Sequence, residues 1–363
     1  MSPPRLDEIE VTVLGPGFGE STVVHIGDGR WVIIDSCYVR REAPPAALVY
    51  LQSIGVSPDA VELVVATHWH DDHIGGMSQV VKACERATFC TSSILTDEEF
   101  VTTVNAYAKR PILEGGASVK EVHEVLTIIE GRKKPIKRAL ADRLILKLPG
   151  TSFSHGKDVE IWSLSPCDAS YARFIKSLDR LLPKEYEQKK RLAALSPNEC
   201  SVVIWMAVGD LNILLGADLE EDGQADRGWS AIINSAQRPA GAAKIFKIPH
   251  HGSKNAHHDA VWKEMVDRNA ICVLAPFDRG SKLPGKADVD RINALSANAY
   301  ATAPFQAAPK KRKKRSPVVE KLIKDMGIDV RPISDRVGMV QTRISPLNSS
   351  PPTVSLFSGA LKL

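Results

Sequence analysis

Short apolar runs, each closed by a turn rich in glycine or proline, set the rhythm of the first third of the chain. Glu10–Leu14, Thr22–Ile26 and Trp31–Ile34 read as three strands, with Gly15-Pro16-Gly17-Phe18-Gly19 and Gly27-Asp28-Gly29 as the turns between them. An antiparallel opening follows. Pro44–Ile54 has the look of a helix, and Leu63-Val64-Val65-Ala66 that of a short buried strand, so the order strand, helix, strand predicts sheets covered by helices. From about Thr96 to Arg143 the chain turns polar and largely helical, with a basic stretch of Arg132, Lys133, Lys134, Lys137 and Arg138; this reads as an insertion. Strand character returns at Val159–Leu164, a charged helical region spans Tyr171–Leu195, and Ser201–Val208 and Asn212–Leu215 form a hairpin about Gly209-Asp210. Lys244–Ile248 is a further strand, Val318–Met326 a helix and Gly338–Ile344 a closing strand, and the Ser- and Pro-rich tail Ser345–Leu363 is expected to be loosely ordered or to serve a partner.

Chemistry gathers where these strands end. Thr67 to Gly76, THWHDDHIGG, follows the strand at Leu63–Ala66 and packs three histidines and two aspartates together. His68 and His70 are one residue apart, so in an extended segment both imidazoles leave the same face and can share one metal ion. Asp72 and His73 follow as Gly75-Gly76 lets the chain turn, and can serve an adjacent ion. Asp218 stands just past the hairpin, His250 and His251 just past Lys244–Ile248, and Asp35 just past Trp31–Ile34. Four strand termini thus deliver ligand-type side chains, as a packed scaffold does when it assembles a site from distant sequence.

Composition narrows the class without deciding it. The 363 residues are 44% hydrophobic and 25% charged, the balance of a globular domain with a substantial core. No stretch approaches a membrane span and the N-terminus lacks the apolar segment of a secretory signal, so a cytoplasmic protein is the expectation. The six cysteines form no CxxC pair, which argues against a disulfide framework or a thiolate zinc site. A net charge of +4 says little about partners by itself.

The HxHxDH segment at 68–73, the aspartate at 218 and the histidine at 250 resemble the metallo-β-lactamase fold, an α/β, four-layer αββα sandwich. More narrowly, Gly17-Phe18-Gly19-Glu20-Ser21, Ile34-Asp35-Ser36, Leu164-Ser165-Pro166, Asn198-Glu199-Cys200-Ser201, Leu215-Gly216-Ala217-Asp218 and Ile248-Pro249-His250-His251-Gly252-Ser253 resemble the hydrolase domain of ComEC-type DNA-uptake proteins, over roughly residues 8–295. The resemblance implies that His68 and His70 bind a first ion, that Asp72, His73 and His250 bind a second, and that Asp218 bridges them. A third histidine for the first ion has only His123 and His155 as candidates, neither after a convincing strand, so water or Asn198 takes that place. Near Ser281-Lys282-Leu283-Pro284 the branch usually has a His-Pro pair, and here Leu283 stands instead.

On this reading residues 1–300 are a hydrolase domain with a helical insertion at about 96–145; 301–317 is a flexible basic segment, 318–346 the closing helix and strand, and 347–363 the tail. Two divalent ions, zinc with manganese or iron as alternatives, would hold an ionised water ready to attack phosphorus or a carbonyl carbon. Asp72 and His251 are the candidate catalytic side chains, His251 as a proton donor, and Asn198, Ser201, Ser253 and Lys254 the candidate substrate contacts. Asp35 is placed to orient a ligating histidine from behind, and Glu20 to buttress its loop or face solvent. Lys310 to Arg315, six consecutive cations between prolines, cannot pack and suit a polyanion. A nuclease or phosphodiesterase is therefore the expected function, with hydrolysis of a small ester, thioester or lactone, or a non-catalytic interaction role, as alternatives; the tail and the insertion are candidate protein-binding surfaces.

Overall fold

The computed structural model describes the chain apart from residues 16–18, 40–42, 99, 103, 105–116, 133, 179–196, 279–281, 306–336 and 348–349. The basic run Lys310 to Arg315, the helix expected at Val318–Met326 and residues 179–195 of the helical region expected at Tyr171–Leu195 lie outside the described residues.

Sheet one opens with β1 (Ile9–Leu14), β2 (Ser21–His25) and β3 (Trp31–Ile34), continues through β4 (Val61–Ala66), β5 (Thr88–Ser92) and β6 (Lys137–Ala139), and is completed by β14 (Met339–Ile344) and β15 (Thr353–Phe357). Sheet two comprises β7 (Arg143–Leu148), β8 (Val159–Ser163), β9 (Ile204–Val208), β10 (Leu211–Leu215), β11 (Ala243–Lys247), β12 (Val266–Leu274), β13 (Ala299–Ala301) and β16 (Leu361–Lys362). The strand orders are β15-β14-β1-β2-β3-β4-β5-β6 and β16-β13-β12-β11-β10-β9-β8-β7. Each sheet has an antiparallel stretch joined to a parallel one: β3 to β6 run parallel in sheet one, β10 to β13 in sheet two.

Both faces of the central strands are buried, which is why they read as continuous apolar runs rather than as an alternation. Val24, Val32, Ile34, Leu63 and Val65 point between the sheets and meet Ile161, Ile204, Met206, Ile213 and Ile245. Their neighbours Val23, Ile33, Val64 and Ala66 face the other way, onto α1 (Ala46–Ser53) and α3 (Met77–Ala83) through Ala47, Leu51, Val80 and Val81. Across sheet two, Trp205, Leu214 and Phe246 pack on Trp229 and Ile232 of α5 (Gly228–Asn234) and Ile292 of α6 (Lys286–Leu295). The result is four layers, helix, sheet, sheet, helix. Each of these enclosed aliphatic side chains contributes roughly 1.5–3 kcal/mol relative to exposure.

Two expectations change here. The expected insertion does contain a helix, α4 (Ala117–Gly131), but Lys137 and Arg138 then enter β6 and Arg143 opens β7, so its last part forms an edge of each sheet. Edge strands carry lysine and arginine well, because their outer face and one hydrogen-bonding edge meet water. The tail is also ordered: Thr353–Phe357 pairs antiparallel with β14 and Leu361–Lys362 with β13. Its prolines stop at Pro352, and the following TVSLF carries the branched and aromatic residues of a strand, which average composition concealed.

Candidate metal centre

The parallel halves of the two sheets bring their carboxyl ends together, and every group of the site leaves from one of them. Past β3 comes Asp35, held at a φ of 58° and donating its backbone N–H to Val65 O at 2.8 Å. Past β4 come Thr67, His68 and His70, then the single-turn α2 (Asp71–Ile74), which carries Asp72 and His73. Past β10, Ala217 at a φ of 44° swings Asp218 inward. Past β11, His250 and His251 both have left-handed backbone, with φ of 45° and 55°. Such positions outside glycine are unfavourable by about 1–3 kcal/mol each and persist only where their surroundings enforce them, typically at functional sites.

The inner atoms converge. His73 Nε2 lies 3.2 Å from Asp218 Oδ1 and 3.7 Å from Asp72 Oδ2, while His251 Nε2 lies 3.1 Å from Asp72 Oδ2 and 3.4 Å from Asp218 Oδ2. One potential ligand atom from each of Asp72, His73, Asp218 and His251 sits within 4.8 Å of the others. The outer nitrogens are already engaged: His73 Nδ1 meets Asp35 Oδ2 at 2.8 Å and His251 Nδ1 meets Ala275 O at 2.8 Å. Asp35 is held in turn by the backbone N–H and hydroxyl of Thr67, each donating at 2.8 Å. Thr67 Oγ1 also lies 2.9 Å from His68 Nδ1, which leaves His68 Nε2 pointing away from it.

Charge and burial fit divalent cations. His68 Nε2, His73 Nε2 and Asp218 Oδ1 are buried and have no hydrogen-bond partner. Buried polar atoms are rarely left so, and two of them, His73 Nε2 and Asp218 Oδ1, lie 3.2 Å apart, a spacing that suits a shared ion. Burial pushes the His68 and His70 imidazoles below their ordinary value, so both are neutral, with free electron pairs. Burial works hardest against protonation of His73 and His251, yet Asp218 and Asp72 together with, for His73, Glu20 outweigh it, raising His73 and pushing His251 up to about 10. Burial alone would raise the carboxyls of Asp72 and Asp218, but His73 and His251 beside them together hold both low. Protons on the two imidazoles thus balance the two carboxylates, and a bound ion would take their place.

The structure places His250 and His251 otherwise than expected. His251, not His250, enters the group with Asp72, His73 and Asp218. His250 turns to the rim, with Nδ1 at 2.9 Å from Asn255 Oδ1 and 3.3 Å from Glu220 Oε1, and Nε2 at 3.3 Å from Asn198 Nδ2. Two successive left-handed residues redirect the chain there, a reversal that residue spacing does not encode. His70 lies near the group, its ring 5.0 Å from that of His68. Asn198 is buried at the rim, donating to Glu220 Oε1 at 2.8 Å, and its Oδ1 and the Ser201 hydroxyl lack partners. Ser253 instead borders a small recess with Trp229 and Trp262, and Lys254 is exposed.

Neither candidate for a third histidine reaches the centre. His155 lies beneath Phe153 and meets Ile26 O at 3.1 Å, and His123 is on α4 beside a surface cleft with Lys82 and Arg132. Three side chains that sequence reading left out complete the surroundings. Phe277 stacks on His251 at 5.1 Å, Cys37 is buried near Glu20 and Asp72, and Lys247 is buried beside Asp218. Lys247 had a signal: a lysine between Phe246 and Ile248, in an otherwise apolar strand that runs into the site loop.

Residues 14–96, from the end of β1 past the histidine cluster, match the model of the metallo-beta-lactamase superfamily. Together with the two mixed sheets between helical layers, this defines the metallo-β-lactamase fold. Similar solved structures include the metallo-beta-lactamase fold protein YhfI from Bacillus subtilis, 12% identical over 66% of this chain and 70% of that one, with a TM-score of 0.32. The Rm3 metallo-beta-lactamase is 14% identical over 70% of this chain and 80% of its own, with a TM-score of 0.34. MEM-A1, a subclass B3 metallo-beta-lactamase from a soil metagenome, is 13% identical over 69% and 82%, with a TM-score of 0.35. No curated protein matches the chain. No helix among the described residues is long and apolar enough to cross a membrane.

Proposed function

We propose that the chain is a metal-dependent hydrolase that cleaves phosphodiester bonds, with nucleic acid as its substrate. The observation that carries this reading is the buried convergence of Asp72, His73, Asp218 and His251 beside the orphaned Nε2 of His68. Mixed imidazole and carboxylate donors suit zinc, manganese or iron. Ions held there supply Lewis acidity and a nucleophilic water at neutral pH.

The chain's own residues do the rest. Asp35, Ala275 O and Thr67 hold the outer nitrogens of His73, His251 and His68, so each imidazole presents Nε2 to the centre without reorganising. His251, committed to the centre, is not free to shuttle a proton; that role passes to His250, which stands on the rim beside Asn198. From there its imidazole can protonate a departing oxygen, while the Asn198 amide orients a phosphate. The motifs Asn198–Ser201 and Pro249–Ser253, which resemble those of the DNA-uptake branch, and the six cations Lys310 to Arg315 favour phosphorus over carbonyl carbon.

The test is metal analysis of the purified chain together with single- and double-stranded DNA, RNA, cyclic nucleotides, lactones and thioesters as substrates. About two divalent ions per chain and chelator-sensitive cleavage of a nucleic acid are expected. Hydrolysis of a lactone or thioester with every nucleic acid left intact would replace this reading with the ester one.

A further inference from the structure

Lys247 ends β11 and is the only lysine fully buried among the described residues, at 2% exposure. Phe246 and Ile248 on either side pack toward the outer helices, so strand alternation turns Lys247 toward the metal centre. Its ammonium pairs with Glu20, donates to Ala217 O at 2.9 Å and lies 3.8 Å from Asp218 Oδ1. Glu20 is buried too, with oxygens 3.8 Å from the outer Nδ1 atoms of both His73 and His251. A buried charge of this kind is unfavourable unless it balances others, and the others at hand belong to the centre.

We propose that Lys247 is a built-in counter-cation of the metal centre, which together with Glu20 sets how tightly Asp72, His73, Asp218 and His251 hold a divalent ion. This rests on the metal-centre reading above. The ammonium repels a dication bound to Asp218 and weakens its binding. The Glu20 carboxylate behind the two imidazoles attracts the dication and strengthens it. Without an ion, Lys247 offsets the crowded carboxylates, so the fold does not depend on metal. Lys247 is thus a positioning residue that acts through Asp218 and the Ala217 turn.

The experiment uses the full chain and three variants: Lys247→Met, Glu20→Gln and the double variant. Affinity for Mn(II) and Zn(II) is measured by competition with a chelating dye, and melting is followed with and without ion. Electrostatics predicts that Lys247→Met binds about tenfold or more tighter than the parent chain and Glu20→Gln about tenfold or more weaker, with the double variant close to the parent. Lys247→Met should melt lower only in the ion-free state. Uniform weakening, unchanged affinity, or equal melting losses with and without ion would make the pair mere packing and overturn the proposal. If Lys247→Met does not fold, the double variant, which leaves no unpaired charge, decides: it must bind more tightly than Glu20→Gln, and equal or weaker binding overturns the proposal. A parent chain that binds no ion would sink the metal centre and this inference together, whereas normal binding without the predicted order sinks this inference alone.

Discussion

His250 and His251 are adjacent in sequence and differ in what they face. His251 meets Asp72 and Asp218, and His250 meets Asn198 and Asn255. His251→Ala should therefore lower metal affinity at least as much as loss of an outer partner such as Asp35, roughly 10–100-fold, as read by dye competition. His250→Ala should keep its metal and lose turnover instead, by roughly 10²–10⁴ on the substrate found active. Equal metal loss in both would mean that the centre does not distinguish them. The ligand types were legible because His68, His70, Asp72 and His73 crowd into one strand end. The choice between the last two histidines was not, because it turns on two backbone dihedrals. A second residue-scale consequence lies away from the site. His25 accepts from Gly29 N–H at 2.9 Å and its Nδ1 meets Glu8 O at 2.7 Å, and burial pushes its imidazole down to about 4 from an ordinary 6.5. Between those values the unfolded chain takes up a proton that the folded one refuses, so His25's share of stability is complete above pH 6.5 and is lost as pH falls toward about 4. That loss is roughly 3 kcal/mol. Urea unfolding across this range should show the slope, and His25→Gln should flatten it.

At the scale of elements, the site depends on how closely loops approach one another. Glu20 donates its backbone N–H to Asp72 O at 2.9 Å, which joins the β1–β2 loop to α2. A Cβ on Gly19 would come within 2.8 Å of Cys37 Cβ and 2.9 Å of Asp72 O. Gly19→Ala should push α2 outward, at a stability loss of about 1–3 kcal/mol and a fall in metal affinity, both measurable on one sample by denaturation and dye competition. Unchanged affinity would show that the Asp72 loop tolerates the shift. Long apolar strands such as β4, β10 and β11 were plain in the sequence because burial on both faces leaves no polar alternation. The edges were harder to read: β6 is three residues that open with two cations, β7 is bracketed by Arg143 and Lys147, and β15 alternates hydroxyl with carbon just past a run of prolines.

For the whole molecule, sheet one contributes His68, His70, Asp72 and His73, and sheet two contributes Asp218 and His251. An ion held between them would tie the halves together. At an ion concentration about a hundred times its dissociation constant the folded state gains about 2.7 kcal/mol, so a chelator should lower the melting temperature by roughly 3–4 °C. A melting curve indifferent to chelator would place no ion in the folded protein. Holding the donors in two separate sheets also imposes an order in time. During folding, a half-built sandwich has imidazoles on one side and nothing opposite them, so tight loading awaits the docking of the second sheet. On the proposed reading, capture of the cation would be among the last events of maturation, and the rate at which metal becomes resistant to chelator would clock the closing of the sandwich.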